Sequence, residues 1–157
     1  MDFHAAPGAD PVALLERHFA AMPPVAALRL QVAGFDGECL RLRAPLAAHV
    51  NDKGCAFGGS LASLMTLAAW GVVTLRLHAI GIAADVFVAQ AQLAYRAPLF
   101  DDLQAEARLA DSAGWDGFVA RLRERGRAGI ALAACVRLPD GGIAAECTSR
   151  YVAIGNG

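Results

Sequence analysis

The sequence predicts an α+β fold in which one long apolar helix lies against a highly curved antiparallel β-sheet. Two observations carry that prediction. The 22 residues 54–75 contain no charged side chain, and the runs that follow change to a period of two and are joined by short turns. A helix that is apolar on nearly every side must be covered by its own protein, and a sheet with one apolar face needs a cover in return. Each element therefore hides the other.

The elements follow in order. Asp10 before Pro11 has the form of an N-cap with proline at the first helical position, and Val12, Leu14, Leu15, His18 and Phe19 supply a one-sided apolar stripe. This predicts a short helix over about 10–22, stopped by Pro23-Pro24. Leu28, Leu30 and Val32 alternate with Arg29 and Gln31, Asp36-Gly37 marks a turn, and Leu40 and Leu42 alternate with Arg41 and Arg43, which predicts a β-hairpin.

The uncharged segment is long enough to cross a bilayer core of ~30 Å. It holds Gly58, Gly59, Ser60, Ser63, Thr66 and Gly71, however, and its flanks are single cations, Lys53 and Arg76, so it reads as a buried helix. Beyond Gly81, the residues Phe87, Ala89, Ala91, Leu93 and Tyr95 share one face of a strand, and Leu103, Ala105, Ala107 and Leu109 one face of the next. Turns at Gly114, Gly126 and Pro139-Asp140-Gly141-Gly142 then delimit 115–123, 129–138 and 145–154, so that five strands make a meander. No repeat, low-complexity tract or linker divides residues 1–157, which read as one domain.

Composition narrows the function. The chain is 56% hydrophobic and 18% charged, richer in apolar residues than an average soluble domain, and the excess predicts self-association. A formal net charge of −1 supplies no general attraction to nucleic acid or anionic membrane, and neither is expected as a partner. Residues 1–5 have neither the basic start nor the apolar run of a secretory signal, so a cytoplasmic protein is expected. Cys39, Cys55, Cys135 and Cys147 are widely spaced with no Cys-x-x-Cys pair and no histidines at zinc-ligand spacing. They are expected to be reduced and mostly buried, and no metal site is expected; His4, His18 and His78 are scattered. No dinucleotide or phosphate-loop fingerprint is present.

The informative stretch is 51–60, which ends where the long helix begins. Gly58 and Gly59 at a helix start let a substrate approach the backbone, and the unpaired first-turn amides carry partial positive charge suited to an oxyanion or a polarised carbonyl. The same pair also suits a tight turn with close helix-to-sheet packing. Gly59, Ser63, Thr66 and Trp70 lie at intervals of four, three and four and fall along one helix face. That face either lines a cleft or returns the Ser63 and Thr66 hydroxyls to carbonyls one turn earlier. Ser60 and Cys55 are weak candidates for a nucleophile, with no supporting histidine recognisable, and His49 reads as a loop histidine. Asp52 is the nearest carboxylate, either a general base or a solvated loop acid. Arg121, Arg123, Arg125 and Arg127 form a basic run around Gly126, either a solvated hairpin or a contact for coenzyme A phosphates.

These features, in this order, resemble the hot-dog-fold thioesterases, in which a loop Asn and a His-Gly-Gly-like turn lead into the central helix. The matching residues are Asn51, then Phe57-Gly58-Gly59, and later Tyr95-Arg96-Ala97-Pro98 as a Tyr-x-x-Pro strand end. The combination of Asn51-Asp52-Lys53-Gly54, Phe57-Gly58-Gly59-Ser60-Leu61 and Trp70-Gly71 is similar in particular to the YiiD-type putative thioesterase domain.

The resemblance implies hydrolysis of an acyl thioester, linked to coenzyme A or an acyl-carrier protein, with water as nucleophile. It implies no cofactor beyond the coenzyme A of the substrate. The implied catalytic residues are Gly59, whose amide polarises the carbonyl, Asn51, which hydrogen-bonds substrate or water, and Thr66, which positions water. Asp52, Phe57, Gly58, Ser60, Ser63 and Trp70 are the implied substrate contacts. Phe57 stands where many members have His, and Thr66 where many have the activating Asp or Glu; a hydroxyl is a far poorer base than a carboxylate. A non-catalytic module of the same fold that binds acyl-CoA or another lipid-like ligand is the alternative. The resemblance further implies a homodimer, or a tetramer of dimers, with the cleft between subunits.

Overall fold

A computed structural model describes residues 9–157 of the chain, and the readings made on residues 1–5, His4 included, lie outside the described residues. The first helix forms as its cap predicts. Asp10 Oδ1 accepts from the Val12 amide at 3.1 Å and α1 runs Pro11–Ala21, burying Leu14, Leu15, His18 and Phe19. Pro23-Pro24 ends it and opens a further short helix, α2, Pro23–Ala26.

The hairpin is shorter than its alternation suggests. β1 covers Gln31–Phe35 and β2 Leu40–Ala44, while Ala27, Leu28 and Arg29 turn, with Arg29 in the left-handed region at φ 55°. The uncharged segment forms α3, Gly58–Ala79, and β3 follows as Ala84–Tyr95 and β4 as Leu103–Leu109.

One expected strand is a helix. Residues 115–123, read as a strand of the meander, belong to α4, Trp115–Arg125, followed by β5, Arg127–Arg137, and β6, Ile143–Gly155. Phe118, Val119 and Leu122 are buried together, which is helical spacing, and Gly126 at φ 69° provides the left-handed residue that closes the helix. Arg121, Arg123 and Arg125 are accordingly exposed on a helix and its exit instead of on a hairpin.

Among the described residues the six strands make one antiparallel sheet in the order β1-β2-β4-β5-β6-β3. Its concave face wraps α3, whose buried Leu61, Leu64, Met65, Ala68, Val72 and Leu75 form the centre of the core. α3 has the length and composition to cross a membrane, but 67% of its most apolar window is buried inside the protein. The apolar excess of this segment is thus spent on the core.

Gly71 marks the closest approach of α3 to its surroundings. A Cβ there would overlap Leu40 and press on Leu15 at 3.3 Å, both fully buried. Gly71→Val is expected to destabilise the fold by about 1–3 kcal/mol or more through overpacking, read as a lowered midpoint in urea with an unchanged slope.

β3 departs from the expected facing. Its register with β6 slips between Val88 and Gln90, leaving Ala89 as a bulge. Ala91, Leu93 and Tyr95 oppose Ser149, Cys147 and Ala145 on the helix side, whereas before the bulge Val86 and Val88 oppose Ala153 and Tyr151. Phe87, placed by simple alternation on the same face as Leu93, therefore lies on the outer face and is 55% exposed.

Candidate active site at the start of the central helix

The loop that feeds α3 is closed on itself. Val50 and Ala56 form an isolated bridge, and Asn51 holds the turn between them. Its Oδ1 accepts from the Lys53 amide at 2.8 Å and the Cys55 amide at 3.2 Å, while its Nδ2 has, among the described residues, only the Cys55 sulfur at 3.3 Å. None of these bonds reaches Gly59 or Thr66. Asn51 is thus a loop-forming residue whose Nδ2 retains donor capacity. Asp52 points to solvent and pairs with Lys53 at 2.9 Å, both side chains being largely exposed. Cys55 is buried.

The helix start leaves its donors open. Phe57 is the N-cap and offers no side-chain hydrogen bond. Its amide donates to the His49 carbonyl at 2.7 Å, and the Ser60 amide folds back on the Phe57 carbonyl at 3.0 Å. Among the described residues, the amides of Gly58 and Gly59 are left without a partner. Two aromatic rings border them. Phe57, 56% exposed, lies so that a Cβ on Gly59 would stand 2.5 Å from its Cε1, and Tyr95, equally exposed, donates its hydroxyl to the Gly58 carbonyl at 3.1 Å. Glycine is needed here for access, since neither residue has a positive φ.

Ser60 does not face this surface. It falls on the buried side of α3, where its hydroxyl meets His49 Nδ1 at 2.8 Å, and His49 Nε2 meets the Leu28 carbonyl at 2.6 Å. A carbonyl only accepts, so Nε2 donates to it, and in a neutral ring Nδ1 accepts from Ser60. His49, read from sequence as a loop histidine, is 4% exposed and pins the helix start to the β1 approach. Two residues separated by 11 positions on a loop and a helix carry no periodic signal that would have paired them. The expected substrate contact of Ser60 is corrected to this structural one.

Ser63 takes the back-bonding option, donating to the Gly59 carbonyl at 2.9 Å, and its oxygen remains able to accept. Thr66 is partly exposed, and its carbonyl receives the buried Tyr151 hydroxyl at 2.7 Å. Burial pushes the Tyr151 phenol well above its ordinary pKa, so it stays a proton donor to that carbonyl. Tyr151 was not singled out from sequence; only its inward place in the β6 alternation hinted at burial. Trp70 Nε1 donates to the Val86 carbonyl at 3.0 Å, and the indole packs on Phe19 with centroids 6.3 Å apart.

The two contacts at Gly58–Tyr95 and Trp70–Val86 define a slot. β3 runs antiparallel to α3 between them. The helix covers about 18 Å from Gly58 to Trp70 at 1.5 Å per residue, and the strand about 30 Å from Val86 to Tyr95 at 3.3 Å per residue. The longer strand must arch or tilt away from the helix. Its helix-side residues Val88, Ala91 and Leu93 indeed remain exposed, opposite the partly exposed stripe of Gly59, Ser63, Thr66 and Leu67. The slot thus has two free amides at one end, hydroxyls midway and an indole at the other end. Among the described residues, no cluster of three or more His, Cys, Asp or Glu gathers as a metal-binding group.

No curated protein is significantly similar in sequence. Solved structures are similar throughout. A protein of unknown function from Chlorobaculum tepidum superposes with a TM-score of 0.86 at 27% identity, covering 92% of this chain and 94% of that one. A putative thioesterase from Shewanella oneidensis gives 0.82 at 24% identity, with 92% and 97% covered, and a probable thioesterase from Pseudomonas aeruginosa gives 0.76 at 24%, with 93% and 94% covered. The last two likenesses speak for the fold, a hot-dog with its central helix wrapped by the sheet. A family model described as Putative thioesterase (yiiD_Cterm) matches residues 13–155, and on that match, spanning nearly the whole chain, the protein belongs to this thioesterase family.

Proposed function

We propose that the chain hydrolyses an acyl thioester, carried by coenzyme A or an acyl-carrier protein, with water as nucleophile. The observation that carries this reading is the pair of amides, Gly58 and Gly59, unpartnered among the described residues, at the exposed start of a largely buried helix. Placed against the Gly59 amide, the thioester carbonyl is polarised, and the oxyanion that forms when water attacks meets fixed dipoles that need no reorganisation. The acyl chain lies in the slot between α3 and β3. Asn51 Nδ2 and the Thr66 hydroxyl hold substrate and water, with Phe57, Gly58, Ser63 and Trp70 bounding the site. Thr66 positions the water without ionising, and slow chemistry follows from so weak a base. Asp52 is exposed and tied to Lys53, which favours a solvated role over that of general base.

The site works as a homodimer, or a tetramer of dimers, in which β3 of each copy pairs with the other. The reading is supported by the unpaired edge of β3 and the exposure of its apolar residues. Four free thiols among the described residues suit a reducing, cytoplasmic setting.

The competing reading is a module that binds acyl-CoA without turnover. It is favoured by one observation, a threonine where a carboxylate would activate water. A hydrolysis screen of the purified protein against acyl-CoA esters of graded length separates the two, with turnover on at least one ester expected. In the same assay Thr66→Val is expected to lower kcat by about tenfold or more with KM little changed, as for a group that acts mainly in the transition state. Binding of an ester with no turnover of any would select the module. Full activity of Thr66→Val beside an inactive Asp52→Asn would move the base to Asp52.

A further inference from the structure

We propose that Trp70 is the stop that sets acyl-chain length, an inference that rests on the thioesterase reading of the slot and adds to it a medium-chain acyl substrate. The indole stands at the far end of the slot from the free amides and is fixed there twice, by Nε1 on the Val86 carbonyl and by the Phe19 ring. From Gly59 to Trp70 the helix advances about 16 Å, the reach of an extended chain of about twelve carbons with its carbonyl at the helix start.

Space continues behind the indole. A cavity of about 220 Å³ lies there, lined by Trp70 itself, His18, Met22, Thr74, Val86 and Phe87 and also by the exposed Asp85. Trp70 is thus a wall shared by the slot and the cavity. A longer chain is refused by the indole alone, since the volume to hold it already exists.

The cavity also explains why the wall is kept. Thr74 is 6% exposed and its hydroxyl has no hydrogen-bond partner among the described residues. An alkyl end pressed against that hydroxyl would leave it dry and unpaired, which costs free energy, whereas one turn earlier the indole meets the chain with apolar surface. Desolvation, reinforced by Arg17, lowers the pKa of His18 at the same cavity.

The test compares wild type, Trp70→Ala and Trp70→Phe on acyl-CoA esters from butanoyl to stearoyl, with kcat/KM and calorimetric affinity measured for each. Wild type is expected to fall off beyond lauroyl. Trp70→Ala is expected to raise the palmitoyl-to-lauroyl ratio by about tenfold or more, because the added methylenes gain apolar burial. Trp70→Phe, which keeps a six-membered ring across the slot while losing the Nε1 bond and part of the indole's bulk, is expected to retain most of the cut-off. Thr74→Val combined with Trp70→Ala is expected to raise the ratio further.

An unchanged chain-length profile in Trp70→Ala, with native circular dichroism and thermal midpoint, would overturn the proposal. So would a Trp70→Phe profile that shifts as far as that of Trp70→Ala. Because affinity is read beside turnover, absence of hydrolysis with a length-dependent affinity that Trp70→Ala extends would uphold the stop while removing the thioesterase reading.

Discussion

Gly59→Val is expected to lower kcat/KM by about 10²- to 10³-fold, the loss typical of removing one oxyanion-hole donor. The valine does not delete the amide. It places two methyl groups beside it, in space that the Phe57 ring already borders at 2.5 Å from the position of a Cβ. Phe57 is more than half exposed, so the ring can swing aside and the fold need not yield. Valine is also no worse a helix former than glycine. The thermal midpoint should therefore move little while activity collapses, and Gly59→Ala should fall between the two. This separates the site from the packing glycine twelve residues on, where Gly71→Val unsettles Leu40 and Leu15 and costs stability first. A folded Gly59→Val protein with normal turnover would end the helix-start mechanism.

The parts of the fold that were legible in the sequence are those in which one signal dominates. An uncharged run flanked by single cations became α3, and Asp10-Pro11 became a capped helix start. Where two periods fit the same residues, the reading failed. In 115–125 the residues Ala120 and Leu122 alternate with Arg121 and Arg123 as a strand would, while Trp115, Phe118, Val119 and Leu122 recur as a helix would, and burial obeys the second pattern. The bulge at Ala89 was invisible because an extra residue in one strand is defined only by its partner, and it exchanges Phe87 for Val88 on the helix side.

The site divides in the same way. Gly59, Ser63, Thr66 and Trp70 were placed by helical spacing along one element, and that stripe is partly exposed down to Trp70. Ser60, one residue on, turned out to face His49 because a rotation of 100° per residue carries it to the core. Contacts between elements, such as Tyr95 to Gly58, Trp70 to Val86 and Tyr151 to Thr66, span 37, 16 and 85 positions and leave no local trace. The slot between them was accordingly beyond a reading of spacing alone.

Light scattering at micromolar concentration is expected to give a dimer or a tetramer of dimers, and Val88→Lys is expected to give an inactive monomer. β3 ends the sheet with 12 residues, none of them Lys or Pro, and its one charge is Asp85. Such an edge pairs with whatever strand it meets unless a specific partner covers it. Its exposure is two-sided: Phe87 on the outer face and Val88, Leu93 and Tyr95 on the helix face are between 36% and 56% exposed. An antiparallel match of β3 with its own copy about a two-fold axis satisfies both edges with one surface and roofs the slot of each copy with the other's side chains. A lysine at position 88 would bury a charge in that seam, a cost of several kcal/mol, and would favour the separated chains. The contacts that shape the helix start, His49 to Ser60 and Tyr95 to Gly58, lie within one chain. Circular dichroism of the monomer should then stay near native, and the lost activity would report the missing partner, together with the charge that position 88 turns toward the slot, instead of a lost fold. A Val88→Lys protein that remains monomeric and fully active would remove the shared cleft. One that remains dimeric and active would place the interface elsewhere than β3.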